Sequence, residues 1–344
     1  MPVSFKQSFK KSRAAVHRRK ATFLARRPHR SFQRTRRRDY VRSLKLPGYI
    51  AFTHYVNKTV WKYRKLLVLM ILLYAALTAA LIGIGSQQTY GELLSILRET
   101  GQDAVGGEAD QFGQAALVFV SVATSGLTGN LTEVQQVYAG LLFLLTWLTT
   151  VWLLRARLAG HAVKLRDALY NAGGPIVATT LIGFLFIVQL LPIAIATIGY
   201  SAASTSGLLD GGVEAMLFWI AAGLLSVLSL YWITATFFAL IIVTLPGMYP
   251  VRALRTAGDM VVGRRLRLLL RFIWMAVVLS LVWALILIPM ILFDGWLKGL
   301  IPAIDAAPII PITLLLLSSV SIVWSACYTY LLYRKVVEDD ALPA

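Results

Sequence analysis

The sequence predicts an all-α fold, a polytopic membrane helix bundle with six transmembrane helices and interfacial amphipathic helices. Three observations carry that prediction. Of 344 residues, 58% are hydrophobic and only 15% charged, whereas soluble domains hold about 25% charged residues. Six apolar stretches are long enough to meet the about 20 residues that a helix needs to cross a bilayer. The net charge of +18 is concentrated at one end: residues 1 to 65 hold 20 of the 34 Lys and Arg against one acid, Asp39.

The first element is a basic arm over residues 1–45. Its stretch RRPHRSFQRTRRRDYVR contains Arg26, Arg27, Arg30, Arg34, Arg36, Arg37, Arg38 and Arg42. A secretory signal would place an apolar core soon after its charges, and here none begins before Leu66. A mitochondrial presequence would explain many arginines and few acids, but this stretch has no continuous apolar face and contains Pro28. A nucleic-acid arm would use the arginines to displace counterions from phosphates and Phe5, Phe9, Phe23, Phe32 and Tyr40 to stack on bases. No folded recognition motif accompanies them. Juxtamembrane polybasic segments, by contrast, are drawn to anionic leaflets by about 1 kcal/mol per residue near the surface. The expectation is a disordered arm on the anionic lipid of the inner leaflet, with RNA or the ribosome as the competing partner.

Residues 46–65 open with the Pro47-Gly48 break. Phe52, Tyr55, Val56, Thr59, Val60 and Tyr63 recur at helical spacing, while Asn57, Lys58 and Lys62 occupy the other face. An aromatic, basic, amphipathic helix before a span belongs in the headgroup plane; the competing reading packs the same helix against another cytoplasmic loop.

The membrane domain occupies residues 66–333, with spans expected at 66–85, 134–154, 176–198, 215–245, 268–293 and 309–333. The fourth is long enough to tilt or to continue past the hydrocarbon. A further apolar run, Ala115 to Leu127, is too short to cross and reads as a helix packed on the outer surface or dipping into it. Short cytoplasmic loops collect Lys and Arg. With the N-terminus inside, 32 of the 34 basic residues fall on the cytoplasmic side, and only Arg98 and Lys298 lie outside. The six spans then return the tail, residues 334–344, to the cytoplasm. A bacterial inner membrane is the expected location.

Within the spans, no charged side chain falls in an interior position. The most polar residue at mid-depth is Gln189, followed by Pro192, with Pro289 comparably placed in the fifth span. One amide in hydrocarbon serves as interhelical glue or lines a cavity, and prolines free a backbone carbonyl and permit a kink. Gln189, Pro192 and Pro289 are therefore the candidate intramembrane polar site. Thr146, Thr149, Thr150, Ser226, Ser229, Ser318, Ser319, Ser321 and Ser325 suit close helix packing. The lack of intramembrane acids argues against proton-coupled transport.

No cofactor or metal is expected. The single Cys327 rules out an intrachain disulfide, and His17, His29, His54 and His161 show no ligand spacing. In the outer loop, Tyr90 to Leu97 reads as a surface helix. The acids Asp103, Glu108 and Asp110 that follow do not match an EF-hand. Asn130-Leu131-Thr132 is a glycosylation sequon.

The most distinctive loop reads TLPGMYPVRALRTAGDMVVGRRLRLLLRFIW. Pro250 restarts a helix with Arg252, Arg255, Arg264, Arg265 and Arg267 at headgroup level and Asp259 four residues after Arg255. This stretch resembles the short re-entry segment of a bacterial family of six-helix membrane proteins. That family is similar to the membrane domain attached to some glycerophosphodiester phosphodiesterases and to its stand-alone, uncharacterised relatives. The resemblance covers the pattern at 246–272 and the six-span layout, not the basic arm. It implies a six-helix membrane fold. The residues after 65 are taken up by spans and short loops, so no catalytic domain is present and phosphodiester hydrolysis does not carry over. The second span, the loop KLRDALYNAGGP and the third span also echo the fourth span, VRALRTAGDMVVGRR and the fifth, which would make any repeat a parallel one.

Without a catalytic constellation, the function expected is that of a non-enzymatic scaffold, assembly or partner-binding component. Its partners would be anionic membrane lipid and a protein partner or a second copy of the chain. A transporter or lipid-handling protein with a cavity near Gln189, and an RNA- or ribosome-associated membrane protein, are the alternatives.

Overall fold

The computed structural model describes residues 46–83, 131–206, 208–300 and 307–341. The arm with Arg26 to Arg42, the run Ala115 to Leu127, the acidic stretch 90–110 and Asn130 lie outside the described residues. The chain divides into two compact units. Of the first, Met1–Leu44 with Val262–Arg264, only Val262–Arg264 is described. It is a turn in which Gly263 takes φ 81° and Arg264 is buried.

The second unit, Lys45–Val261 with Arg265–Ala344, holds nine α-helices and no strand among the described residues. They are α1 (Tyr49–Lys62), α2 (Arg64–Leu81), α3 (Glu133–Leu158), α4 (Leu165–Ala172), α5 (Ile176–Thr205), α6 (Gly212–Ile242), α7 (Pro250–Val261), α8 (Arg265–Leu300) and α9 (Ile309–Ala341). Six of them, α2, α3, α5, α6, α8 and α9, are long and apolar enough to cross a membrane. The chain is an integral, multi-pass membrane protein.

The helices outrun the apolar stretches because charged residues end an apolar run without ending a helix. Helix α8 continues through Asp294 and Lys298, whose charges meet at 2.9 Å one turn apart. Helix α9 continues past Tyr333, where Glu338 pairs with Arg334 at 3.0 Å and Lys335 at 2.8 Å. At 36 and 33 residues, these helices are about 54 and 50 Å long at about 1.5 Å per residue, well beyond the about 30 Å of hydrocarbon. Helix α2 instead stops at Leu81, four residues short of the expected end, before Gly83 at φ 96°. Thr132 caps α3 reciprocally with Gln135. Gln135 Nε2 also donates to the Ile82 carbonyl at 2.8 Å, tying the start of α3 to the end of α2.

The nine helices fall into three successive units of one short helix, one outgoing span and one returning span: α1-α2-α3, α4-α5-α6 and α7-α8-α9. Within each unit the two spans pack on each other, and each returning span also packs on the outgoing span of the next unit: α3 on α5, α6 on α8, α9 on α2. The short helices obey the same cyclic rule, with α4 on α3, α7 on α6 and α1 on α9. Helix α9 further contacts α3 and α6. The result is a closed ring with the returning spans towards the centre. In their most apolar windows 50, 39 and 33% of residues are buried in α3, α6 and α9, against 22, 6 and 11% in α2, α5 and α8.

Burial is concentrated towards the short-helix end. Thr146 to Val151, Ile241, Ile242 and Ala326 to Leu332 are all buried there. Lipid tails are as apolar as leucine, so packing and hydrogen bonds rather than the hydrophobic effect must hold spans together. Small hydroxylated residues meet that need. Thr146, Thr149 and Thr150 return their hydroxyls to carbonyls one turn back at 2.6–2.7 Å, and Tyr74 and Thr149 share a 2.8 Å hydrogen bond between α2 and α3.

Candidate functional site at the short-helix end

Helix α1 is seated on protein. Phe52, Val56 and Thr59 are buried, and Tyr55, Val60 and Tyr63 partly so; this is the face that the helical spacing marks out. Phe52 meets Tyr328 of α9 edge to face at 4.9 Å. Trp274 of α8 donates from its indole to Thr53 Oγ1 at 3.0 Å. Asn57, assigned by sequence to the polar face, accepts from Trp324 Nε1 at 2.8 Å.

The centre of this docking is Arg271, a buried arginine in the first third of α8. Its guanidinium donates to the carbonyls of Pro47 and of Gly48, the second at 3.4 Å. The same group lies 4.4 Å from the Tyr49 ring centroid and 5.7 Å from that of Phe52, while Tyr328 donates to the Arg271 carbonyl at 3.2 Å. A planar fork with two faces suits this site; a lysine ammonium would match neither the paired carbonyls nor the rings. Arg271 thus fixes the point at which the chain from the basic arm enters α1.

The remaining arginines divide by environment. Arg155, in the last turn of α3, donates to the Thr244 carbonyl beyond α6 at 2.9 Å. Arg157 donates to the Val163 carbonyl at 3.0 Å, and both favour the negative end of the α3 dipole. Of the arginines expected at headgroup level, Arg252, Arg255 and Arg267 are exposed and Arg265 is half-buried. Arg265 donates to the Tyr231 carbonyl at 2.9 Å and lies 3.7 Å from the Tyr231 ring centroid. Arg264 is buried in the turn already described.

The candidate intramembrane site separates. Gln189 Oε1 accepts from Thr236 Oγ1 at 2.6 Å. One turn on, Pro192 lies in α5, and the amide of the following Ile193 donates to Ser229 Oγ of α6 at 3.3 Å. Gln189 and the Pro192 turn are thereby joined to one partner helix. Pro289 sits elsewhere, on an exposed face of α8 with Leu285, Ile288 and Leu292.

Sequence reasoning missed the Arg271 cluster, although a lone arginine inside the apolar start of α8 was its signal. It also missed α4, whose buried positions Ala168 and Ala172 are too small to mark an apolar face. No family model matches the chain, and no curated protein or solved structure matches it.

Proposed function

We infer that the chain is a non-enzymatic membrane platform, with both termini in the cytoplasm of a bacterial cell and its basic arm held on anionic lipid. The observation that carries this reading is the filled centre of the ring at the short-helix end. There Thr146 to Val151 of α3 and Ala326 to Leu332 of α9 are buried without a break, a construction that favours rigidity over passage of a solute. The Gln189–Thr236 bond supports it further, since the amide is used between helices. The exposed Arg252 and Arg255 of α7 leave a basic face for an acidic surface. A protein partner or second copy would assemble beside that face.

The deciding experiment places the full-length chain in phosphatidylcholine nanodiscs and offers it phosphatidylglycerol vesicles and a mixed RNA pool together, across a salt series. Vesicle capture at physiological ionic strength, weakening with salt and lost on deletion of residues 1–45, is expected. RNA winning that competition would make the arm a nucleic-acid element instead. Selective solute flux by the reconstituted chain alone would replace the platform with a transporter.

A further inference from the structure

Helix α7 carries the chain back along α6. Its buried residues Ala253, Ala257 and Val261 recur one turn apart, and the helix packs on α6. Beyond its end, the guanidinium of Arg265 meets α6 at Tyr231, where it donates to the carbonyl and lies over the ring at 3.7 Å. Tyr231 is about 16 Å from the end of α6 at Ile242, at about 1.5 Å per residue. Its neighbours in depth, Ser229 and Thr236, hold the Pro192 turn and Gln189 of α5. The sequence places Arg265 at headgroup level; its charge instead lies about half the 30 Å hydrocarbon thickness from that end. Nor is it enclosed there, for Arg265 is half-buried and Tyr231 is 54% exposed.

A charge on the lateral surface at that depth is costly, and the cost falls when water and headgroups are drawn in to it. The surface of α7 supplies a route for them. Arg252 and Arg255 are exposed on one face of α7, nearer the end of α6, and Asp259 shares that face. With Arg265 the run keeps an excess of positive charge. The Tyr231 carbonyl takes one N–H of Arg265 and the ring takes one side of its plane, so the planar fork keeps donors for an oxyanion. We propose that the exposed side of α6 and α7 is a path along which a hydrated phosphate group, drawn by Arg252 and Arg255, sinks from the short-helix end to Arg265. The phosphate is that of a phospholipid headgroup or of a free ion. The filled centre of the ring bars a solute, so this passage runs on its flank; it goes beyond the platform reading and uses no residue of the arm.

The test places the full chain, with Cys327→Ala and Tyr231→Cys, in nanodiscs of phosphate-free digalactosyldiacylglycerol. Tyr231→Cys keeps the backbone carbonyl that holds the guanidinium. Two water-soluble thiosulfonates are compared, one carrying a sulfonate and the other a trimethylammonium group. The sulfonate reagent should modify the cysteine at 231 about ten-fold faster, the lower end of what a charge-lined cleft gives. Leu224→Cys, two turns outward and 66% exposed, controls for access from the other side and should react with neither. Arg265→Gln should abolish the preference and Arg265→Lys should retain it. The double variant Arg252→Gln, Arg255→Gln changes only exposed positions, so it should reduce the preference without loss of fold. Phosphatidylglycerol added to the bilayer should slow the reaction at 231 if the ligand is a headgroup, and inorganic phosphate in the buffer should do so if it is a free ion. A cysteine at 231 that neither reagent reaches overturns the path, as does equal reaction with both, or a preference that survives in Arg265→Gln and in the double variant. Equal reaction at 224 would put this face outside hydrocarbon and overturn it too. Slowing by neither phosphate source refutes the phosphate assignment. Deletion of residues 1–45 should leave all these rates unchanged, so the platform reading and the path fail separately.

Discussion

Arg271 places a permanent positive charge inside packed protein and answers it with carbonyls and rings. A hydrogen bond to a charged group contributes about 1.5–3 kcal/mol, so Arg271→Lys, which keeps the charge and loses the fork, should cost about that much. The loss should be local first. Amide hydrogen exchange across Tyr49–Lys62 is expected to accelerate, whereas Arg252→Gln, on an exposed position, should leave it unchanged; equal exchange in both variants would remove Arg271 from this role. Gln189 makes the opposite case, since its sequence setting admitted both glue and cavity. As glue to Thr236 it should contribute about 0.6–1.7 kcal/mol, and a double-mutant cycle of Gln189→Leu with Thr236→Val measures that coupling directly. Additive losses would mean that the 2.6 Å contact carries no stability. The amide was legible in sequence as a polar group needing a partner, but not which helix would provide one.

Among the elements, the short helices are seated by different means. Helix α1 uses large side chains, so its buried face could be read from spacing alone. Helices α4 and α7 use alanines, Ala168 with Ala172 and Ala253 with Ala257, all buried, which bring backbones close as small-residue pairs do between membrane helices. The turns leading into α4 and α7 are opened by Gly160 at φ 88° and Gly247 at φ 73°, a conformation that glycine enters without strain. Alanine has no apolar reach, so periodicity marks α7 faintly and α4 not at all. Overpacking costs about 1–3 kcal/mol. Ala257→Leu is therefore expected to lower thermal stability by that amount and lift α7 from α6, while Tyr170→Ser should stay within about 0.5 kcal/mol. A scanning thermal assay of the two variants in one detergent decides it, and a stable Ala257→Leu protein would refute the seating. Span number was readable from apolar length because hydrocarbon thickness fixes it; span ends were not, because α8 and α9 carry charges beyond it as one-turn ion pairs.

For the whole molecule, the helix contacts form a three-unit ring, whereas the sequence offers only a likeness between two of its hairpins. The third unit was hidden because its outgoing and returning spans, α2 and α3, are separated by about fifty residues instead of a tight connection, and because ring closure by α1 on α9 joins the first described helix to the last. Alternation of six spans would place every short helix and the α9 tail on one side, so the orientation proposed above reduces to one binary choice. Lys and Arg are retained in the cytoplasm during insertion, and the proposed orientation rests on the sequence expectation that nearly all of them share the side of the short helices. Cys327 is buried and free, so Cys327→Ala gives a background into which single cysteines can be placed at the exposed positions Arg255, Glu338, Glu133 and Glu214. With a membrane-impermeant maleimide on intact spheroplasts, the cysteines at 133 and 214 should label, and those at 255 and 338 only after permeabilisation. Labelling at 255 and 338 in intact spheroplasts would invert the protein, put its basic arm on the outer face and remove the inner-leaflet lipid from reach of that arm. Labelling at 255 and 214 together would break the alternation itself, and with it the ring.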